Sequence, residues 1–153
     1  MTHAHFTFMR SSSSIMTKRH FTQQIVVRYS DIDYIGHVSN AVYYQYLQDA
    51  YVKFMYGLLD APFSERISQI TVKTVCEYVD QVRLGEVLNL RASVVRFGTR
   101  SFDIEYLLAR QDNDKHLVAR GLSTHVTFDY GNNISIPLPD DLKAGVLAYQ
   151  GSL

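Results

Sequence analysis

The chain has 153 residues, in which 15 Lys and Arg balance 15 Asp and Glu, and its pI is about 7.0. The length predicts one domain, and the neutral charge argues against nucleic-acid binding, which relies on a concentrated basic surface. No apolar run reaches the ~20 residues that a membrane-spanning helix needs. Cys76 is the only cysteine, so an intramolecular disulfide is excluded. We interpret Cys76 as a partly buried strand residue and not as a nucleophile.

The first 20 residues predict a poorly ordered leader before a single domain at 21–153. The leader has no acidic residue and contains a run of four serines, Ser11–Ser14. Transit peptides share such a composition, whereas the apolar core of a secretory signal is absent. We interpret this segment as a poorly ordered leader and not as a transit peptide, with Met16 as an alternative start. We therefore expect a cytoplasmic protein.

A strand and then a long helix open the predicted domain. The β-branched, partly alternating run Phe21–Arg28 predicts the strand. Ser39 and Asn40 are capping residue types, and they predict a helix that continues to about Tyr56 and ends at Gly57. Because this helix is apolar or aromatic around most of its circumference, other structure must wrap it.

Four β-rich runs and a short helix follow. The runs are Ile70–Val79, Glu86–Arg96, Ser101–Arg110 and Leu117–Phe128. Gly85, Gly98 and the cluster Asp112–Asp114 separate them, which is typical of an antiparallel meander. Pro137–Asp141 then opens the final helix. This order predicts an α+β fold, in which one curled antiparallel sheet covers one long helix.

The segment that joins the first strand to the helix concentrates reactive side chains. Asp31 and Asp33 precede Gly36, and His37 and Asn40 lead into a helix start whose first N–H groups lack intrahelical acceptors. Those N–H groups would stabilise an oxyanion that forms during acyl transfer. A neighbouring carboxylate could activate water or attack the acyl carbon. Taken one at a time, the same residues also suit turn and capping roles.

Residues 31–47 read D-I-D-Y-I-G-H-V-S-N-A-V-Y-Y-Q-Y-L. This run resembles the pattern D-x-D-x-x-G-H-V-N-N-x-x-Y-x-x-Y-L of hotdog-fold acyl-CoA thioesterases of the 4-hydroxybenzoyl-CoA thioesterase type. Two later runs, E-Y-V-D-Q-V-R-L-G-E-V-L and R-F-G-T-R-S-F-D-I-E-Y, resemble that family's second and third strands and its next hairpin. The resemblance covers roughly 21–128. It implies a hotdog fold and hydrolysis of an acyl-CoA to a free acid and CoA, without metal or cofactor.

The resemblance implies catalytic roles for individual residues. Asp33 falls at the catalytic carboxylate, which acts as nucleophile or as general base. His37 matches a catalytic His of the related plant acyl-carrier-protein thioesterases, and Asn40 matches the helix start where an N–H polarises the thioester carbonyl. Ile35 stands where the plant enzymes have a third catalytic Asn, so we expect a mechanism centred on Asp33. We interpret Asp31, two residues from Asp33, as a turn or loop-anchoring acid.

Substrate-binding roles are implied for four further residues. Ser39 replaces the first Asn of the signature and keeps a small hydrogen-bonding side chain. Tyr43 on the aromatic helix is expected to line the acyl pocket. Arg100 and Ser101 match a hairpin that contacts the CoA nucleotide phosphates in relatives. Asp49, on the polar stripe of the helix, is the alternative carboxylate, because another branch of hotdog thioesterases carries its acid on the central helix.

The open edges of a single curled sheet predict self-association. The resemblance implies a homodimer or homotetramer with the active site between protomers. Acyl-CoA is the expected ligand, with no nucleic-acid or membrane partner. Two alternatives stay open, a non-catalytic acyl-CoA-binding hotdog protein and a thioesterase acting on acyl-carrier protein. The sequence leaves the acyl group open.

Overall fold

The computed structural model describes residues 17–153, which form one sheet, one long helix and a shorter C-terminal helix. The strands are β1 (Phe21–Val26), β2 (Gln69–Tyr78), β3 (Val87–Phe97), β4 (Ser101–Arg110), β5 (Asn113–Asp129) and β6 (Ile134–Ser135), and the helices are α1 (Asn40–Leu59) and α2 (Asp140–Gln150). A 3₁₀ turn at Tyr29–Asp31 follows β1. The predicted α+β layout, a curled antiparallel sheet with one long helix, is confirmed.

The strand order of the sheet is β1-β3-β4-β5-β2, and β6 pairs with the end of β5. The predicted meander is therefore correct for β3, β4 and β5 and wrong for β2. Because β1 and β4 occupy the two edges of β3, the strand β2 pairs with β5 instead. This arrangement leaves the outer edge of β2 without a partner strand among residues 17–153.

Helix α1 packs on the sheet through its aromatic and aliphatic face. Leu47, Ala50, Phe54 and Met55 are all at most 2% exposed. Gly121 of β5 allows α1 to approach the sheet closely, because a Cβ built at this position would lie 2.6 Å from a Leu47 methyl carbon. The opposite stripe of α1 is exposed, as predicted, and comprises Gln45, Gln48, Asp49 and Lys53.

Two predicted boundaries differ from the structure. Helix α1 continues through Gly57 to Leu59 and ends where Asp60 adopts a left-handed conformation with φ of 50°. Gly57 keeps a helical backbone, so the ending is made by Asp60, which tolerates positive φ better than most residues. Strand β5 begins at Asn113, because Asn113 already pairs with Arg110 across a tight turn.

The described part of the predicted leader contacts the C-terminal helix. The backbone N–H of Arg19 donates to Gln150 O at 2.9 Å, and its guanidinium lies 4.2 Å from the ring centre of Tyr149. Ser11–Ser14 and Met16 lie outside the described residues. Within 17–153, neither helix is long and apolar enough to cross a membrane.

Candidate active site

A tight loop between β1 and α1 positions Asp33. The backbone N–H of Asp33 donates to His37 O at 3.0 Å, and the N–H of Gly36 donates to Asp33 O at 3.0 Å. Gly36 completes this turn with a φ of 90°, which L side chains rarely adopt. Ile32 and Val38 form an isolated bridge below the turn. The sequence therefore folds into a small hairpin that carries Asp33 and His37 on its two arms.

Asp31 anchors this hairpin to the helix. It is only 2% exposed, and its carboxylate accepts hydrogen bonds from the Arg28 backbone N–H at 2.9 Å and from the Tyr46 hydroxyl at 2.8 Å. Burial favours the neutral acid, but these hydrogen bonds and the Arg28 guanidinium outweigh it and hold the pKa of Asp31 below its ordinary value. The contacts agree with the loop-anchoring role that the sequence predicts.

A cavity of about 380 Å³ opens where α1 begins. Asp33, His37, Asn40 and Tyr43 line it on the helix side, and segment 78–82 lines the opposite side. The structure thus brings three predicted catalytic residues and one predicted substrate-binding residue to a single cavity.

The start of α1 supplies backbone donors at this cavity. Ser39 is the N-cap, with φ of −62° and ψ of 143°, and its side chain makes no capping hydrogen bond. Asn40 is therefore the first helical residue, not the cap itself. The first N–H groups of a helix have no intrahelical acceptor, and they carry the positive end of its dipole. An oxyanion placed here would be stabilised.

The carboxylate of Asp33 is half-buried and only partly engaged. Its Oδ1 accepts a 2.9 Å hydrogen bond from the Ile35 backbone N–H. Within residues 17–153, Oδ2 has no hydrogen-bond partner, which leaves one oxygen of the carboxylate available to a substrate or a water. His37 lines the same cavity from the other arm of the hairpin. This arrangement can present a base or nucleophile beside a group of backbone donors.

Aromatic side chains form the inner wall of the cavity. Tyr43 is 3% exposed and packs edge-to-face on Tyr78, with ring centres 5.1 Å apart. Burial raises the pKa of Tyr43 to about 12, so its phenol stays protonated and can donate a hydrogen bond. The Tyr78 hydroxyl in turn lies 3.5 Å from Asn40 O.

Three predicted substrate-binding residues lie outside this cavity. Ser39 contributes backbone contacts, because its N–H donates to Asp31 O at 2.9 Å. Arg100 and Ser101 lie at the opposite end of the sheet, where Ser101 pairs with Val126. Within one chain they are separated from the cavity by the part of β5 between Ala119, which pairs with Tyr78, and Val126. The Arg100 guanidinium donates to Ser135 O, and the residue is exposed.

Asp49, the alternative carboxylate, lines a different cavity, which lies between α1 and the strands β2, β4 and β5. Its Oδ2 accepts hydrogen bonds from Lys53 Nζ at 2.7 Å and from Gln23 Nε2 at 2.6 Å. Burial alone would raise the pKa of Asp49, but these two donors lower it overall. Asp49 is in the middle of α1, away from the free N–H groups at the start of that helix. Its surroundings therefore suit an ion pair better than acyl transfer.

The sequence reasoning missed the segment 78–82, which closes the cavity. Backbone hydrogen bonds hold it at both ends, from the N–H groups of Val79 and Asp80 to Val118 O at 2.9 and 3.1 Å and from Val38 N–H to Val82 O at 2.8 Å. Asp80 is also held by His116 Nε2 at 2.7 Å. The run E-Y-V-D-Q was visible in the sequence, but its pairing with β5 sets its position, and that pairing is not a local signal.

The remaining candidate groups do not add a metal centre or a thiol nucleophile. Among the described residues, no cluster of three or more His, Cys, Asp or Glu side chains could hold a metal ion. Burial and then the nearby Glu77 raise the pKa of Cys76 to about 11, which disfavours a thiolate.

The profile of the Thioesterase-like superfamily matches residues 27–146. Among solved structures, a putative thioesterase from Pseudomonas aeruginosa is 27% identical, with a TM-score of 0.73 over 82% of this chain and 96% of that one. A protein from Staphylococcus aureus, solved in complex with CoA, has a TM-score of 0.78 at 18% identity over 90% and 87% of the two chains. A 1,4-dihydroxy-2-naphthoyl-CoA thioesterase from Synechocystis has a TM-score of 0.73 at 17% identity over 84% and 96%. A comparison with curated proteins gave no match.

The fold class is therefore the hotdog fold of these structural neighbours. The profile match spans most of the chain, and the chain belongs to the Thioesterase-like superfamily. The protein is a thioester hydrolase.

Proposed function

We propose that the protein hydrolyses an acyl-CoA to a free carboxylic acid and CoA in the cytoplasm, in the manner of the 4-hydroxybenzoyl-CoA thioesterase type. The observation that carries the proposal is the shared cavity of Asp33, His37 and Asn40 at the start of α1. It combines a carboxylate that can serve as base or nucleophile with backbone donors that can stabilise an oxyanion, and both accelerate acyl transfer. No metal or cofactor is needed in this scheme.

The start of α1 polarises the thioester. The carbonyl oxygen accepts hydrogen bonds from N–H groups at Asn40 and the residue that follows it. These donors bind more strongly as the oxygen becomes an oxyanion, so they stabilise the transition state more than the substrate. His37 positions the acyl group or the attacking water by a hydrogen bond from its ring.

Asp33 drives the attack by one of two routes. As general base it removes a proton from water, whose oxygen attacks the acyl carbon, and CoA leaves as a thiol after protonation. As nucleophile its oxygen displaces the CoA thiolate to give a mixed anhydride, which water then hydrolyses. Rapid-quench mass spectrometry of the intact protein distinguishes the routes, because only the second gives an acyl adduct on Asp33.

A homodimer would complete the CoA site. The outer edge of β2 is unpaired among the described residues, and Val72, Val75 and Tyr78 on this strand are each at least 40% exposed. An exposed apolar edge strand offers a site at which another chain can pair. Two copies paired edge to edge about a two-fold axis would place the Gln69 end of one β2 beside the Tyr78 end of the other.

This dimer would bring the CoA-binding hairpin to the cavity. Ser101 and Ile70 both pair with Val126, so Ser101 and its neighbour Arg100 lie at the Gln69 end of the sheet. In the second copy that end lies beside the Asp33 cavity of the first. The basic Arg100 would then meet the CoA phosphates at a cavity to which its own chain does not bring it.

A thiol-release assay over a panel of acyl-CoAs tests the proposal, with Asp33→Asn as the diagnostic variant. We expect Asp33→Asn to lose at least a hundredfold in kcat on the best substrate, since general-base catalysis typically contributes roughly 10²–10⁴-fold. Asp49→Asn is the matched control, because it makes the same change on the outer face of α1, and it should retain turnover. Near-parental turnover in Asp33→Asn would remove Asp33 from the mechanism.

Two further arms separate the alternatives. If the parental protein cleaves acyl-carrier-protein thioesters and spares acyl-CoA, the carrier in the proposal is wrong. If neither thioester is cleaved while acyl-CoA still raises the melting temperature, the protein binds acyl-CoA without turnover.

A further inference from the structure

One loop holds the chain on both sides of Asp33. This loop, 79–86, joins β2 to β3. After Asp33, the backbone N–H of Val38 donates to Val82 O of the loop at 2.8 Å. Before Asp33, the N–H of Val27 donates to the carbonyl of the last loop residue at 2.9 Å. The position of the hairpin that carries Asp33 therefore depends on the path of loop 79–86.

Loop 79–86 has little apolar packing of its own. Within it only Val82 is buried, whereas Val79 and Leu84 are both more than half exposed. A loop that buries one side chain gains little stability from the core, and such segments open locally at low free energy. Polar contacts therefore decide how firmly this loop, and with it the wall of the Asp33 cavity, is held.

The guanidinium of Arg110, the last residue of β4, contacts both ends of the loop. Its Nη2 donates to Gln81 O at 2.7 Å, and its Nη1 lies 3.4 Å from Asp80 Oδ2. On the other side, its Nε lies 3.0 Å from Glu86 Oε1. The Arg110 side chain is only 22% exposed, so solvent screens these contacts less than it screens a surface ion pair. One side chain thus fastens the beginning and the end of the loop to the sheet.

The two carboxylates beside Arg110 depend on it to different degrees. Asp80 has a second partner, because His116 Nε2 of β5 lies 2.7 Å from its Oδ2. The His116 ring, and then the Gln81 N–H, hold the pKa of Asp80 below its ordinary value, so this carboxylate is ionised near pH 7. Among residues 17–153, Glu86 forms an ion pair only with Arg110. Without the guanidinium, two negative charges would face each other across the loop and repel.

We propose that Arg110 is a positioning residue for hydrolysis at the Asp33 cavity. By compensating Asp80 and Glu86, its guanidinium keeps loop 79–86 against the hairpin and so fixes Asp33 relative to the N–H groups at the start of α1. The inference rests on the proposed function, because it takes this cavity as the site where the thioester is cleaved. Arg110 itself does not line the cavity and acts only through the loop.

Arg110→Met tests the inference, because methionine keeps an unbranched apolar side chain and removes the guanidinium. Small displacements of reacting groups cost up to about a hundredfold in rate, so we expect kcat to fall roughly 10–100-fold. KM should stay within about threefold of the parental value, since the CoA nucleotide is proposed to bind at Arg100. A fall in kcat of less than twofold in the folded variant, or a raised KM with parental kcat, would overturn the inference.

Two further variants control for a general loss of structure, and circular dichroism at the assay temperature verifies that each is folded. Arg91→Met removes a half-buried arginine of β3 whose Nη2 donates to Asp114 O at 3.4 Å and not to the loop, and it should retain parental kcat. An equal fall in kcat in Arg91→Met and Arg110→Met would overturn the inference.

Arg110→Lys is the milder change, which serves if Arg110→Met fails to fold. A single ammonium cannot satisfy the loop acceptors on both sides in the fork geometry of arginine, so kcat should still fall at least about threefold. Parental kcat in Arg110→Lys would then overturn the inference.

A second substitution at Glu86 tests the ionic part of the inference. If Arg110 acts by compensating two carboxylates, Glu86→Gln in the Arg110→Met background removes one of the unpaired charges and the repulsion with it. The double variant should regain at least about threefold in kcat over Arg110→Met. A double variant that regains nothing would overturn the role assigned to these ion pairs.

Hydrogen exchange makes the result independent of turnover. Peptides that cover residues 24–40 and 78–88 are followed by mass spectrometry in the parental protein, Arg110→Met and Arg91→Met. In Arg110→Met alone, both peptides should exchange at least about tenfold faster, since the loop opens at a lower free energy. This result without any thioester cleavage would refute the proposed function alone. Parental exchange in Arg110→Met, combined with measurable hydrolysis of acyl-CoA, would refute the inference alone.

Discussion

The Tyr46 hydroxyl donates a 2.8 Å hydrogen bond to Oδ2 of Asp31, and both side chains are at most 6% exposed. This contact ties the middle of α1 to the loop that carries Asp33. Because Asp31 also receives the Arg28 backbone N–H, one buried carboxylate fixes the path of the chain on both sides of the loop. The geometry of the candidate active site therefore depends on a residue that does not line it.

Tyr46→Phe should destabilise the protein and reduce turnover together. Loss of the hydroxyl group removes a hydrogen bond to a charged group, which contributes roughly 1.5–3 kcal/mol. The free energy of unfolding in urea should fall by about that amount, and kcat should fall because the loop no longer holds Asp33 in place. Tyr56→Phe is the control, since it removes an exposed hydrogen bond to Glu65 O at 2.7 Å. Equal effects of the two variants on kcat would contradict the positioning role.

Gly36→Ala should disturb the same loop by a backbone effect. Open space surrounds the position of a Cβ at Gly36, but its φ of 90° strains an L residue. We expect a loss of about 1–2 kcal/mol in stability and a lower kcat. Gly57→Ala is the matched control, because Gly57 is helical with open space around its Cβ, and it should gain up to about 1 kcal/mol. Chemical denaturation and thiol-release kinetics measure both variants, and a neutral Gly36→Ala would contradict the strain argument.

Local signals in the sequence predicted the part of the site that a continuous segment builds. Asp33, His37, Asn40 and Tyr43 come within eleven residues, and a strand end, a glycine turn and a helix start place them at one cavity. The signature also separated the role of Asp33 from that of Asp31, which ends the 3₁₀ turn at Tyr29–Asp31 and is buried. The predicted end of α1 at Gly57 was wrong, because a glycine weakens a helix without having to end it.

Long-range pairing set the features that the sequence could not predict. The position of β2 beside β5 follows from which edges are already occupied, and it places Thr71 opposite His125. The hydrogen-bonded network of Tyr106, Ser123, His125 and Thr71 depends on that register. Ser123 and His125 are visible as alternate residues of one strand, but nothing local connects them to Thr71 or to Tyr106. The separation of Arg100 from the Asp33 cavity has the same long-range origin.

Stability should fall in acid because His125 is buried as a neutral ring. Its pKa is lowered from 6.5 to about 4 in the folded protein, whereas the unfolded chain binds the proton near pH 6.5. Below pH 6.5 the unfolded state therefore binds more protons, and stability decreases as the pH falls towards 4. The full effect is about 3 kcal/mol at 1.36 kcal/mol per pKa unit.

His125→Gln isolates this contribution. In urea unfolding between pH 7 and 4, the variant should lack about 3 kcal/mol of the parental pH dependence. Burial, and then the nearby Lys18 and Arg91 charges, lower the pKa of His20. His20 therefore adds to the pH dependence of stability between pH 7 and 4, in the parental protein and in the variant alike. The lowered carboxylate pKa values, such as that of Asp103, begin to act near pH 5 and add to the pH dependence of both proteins. An unchanged slope in His125→Gln would show that the ring is not held neutral.

Subunit mixing should show that Asp33 and Arg100 meet across a dimer interface. Arg100→Ala is expected to raise KM for acyl-CoA, and Asp33→Asn to abolish kcat. In a mixed dimer, the Arg100→Ala chain supplies an intact Asp33 and the Asp33→Asn chain an intact Arg100, so one of the two sites is complete. After random exchange of equal amounts, about half of the dimers are mixed, and each mixed dimer has one complete site of two. The mixture therefore regains about a quarter of the parental activity at low substrate. A site confined to one chain would instead give the mean of the two separate variants. Native mass spectrometry of the same mixture shows whether exchange has occurred, because the loss of the arginine side chain gives the mixed dimer a mass between those of the two homodimers. An absence of restored activity in exchanged dimers rules out the shared site.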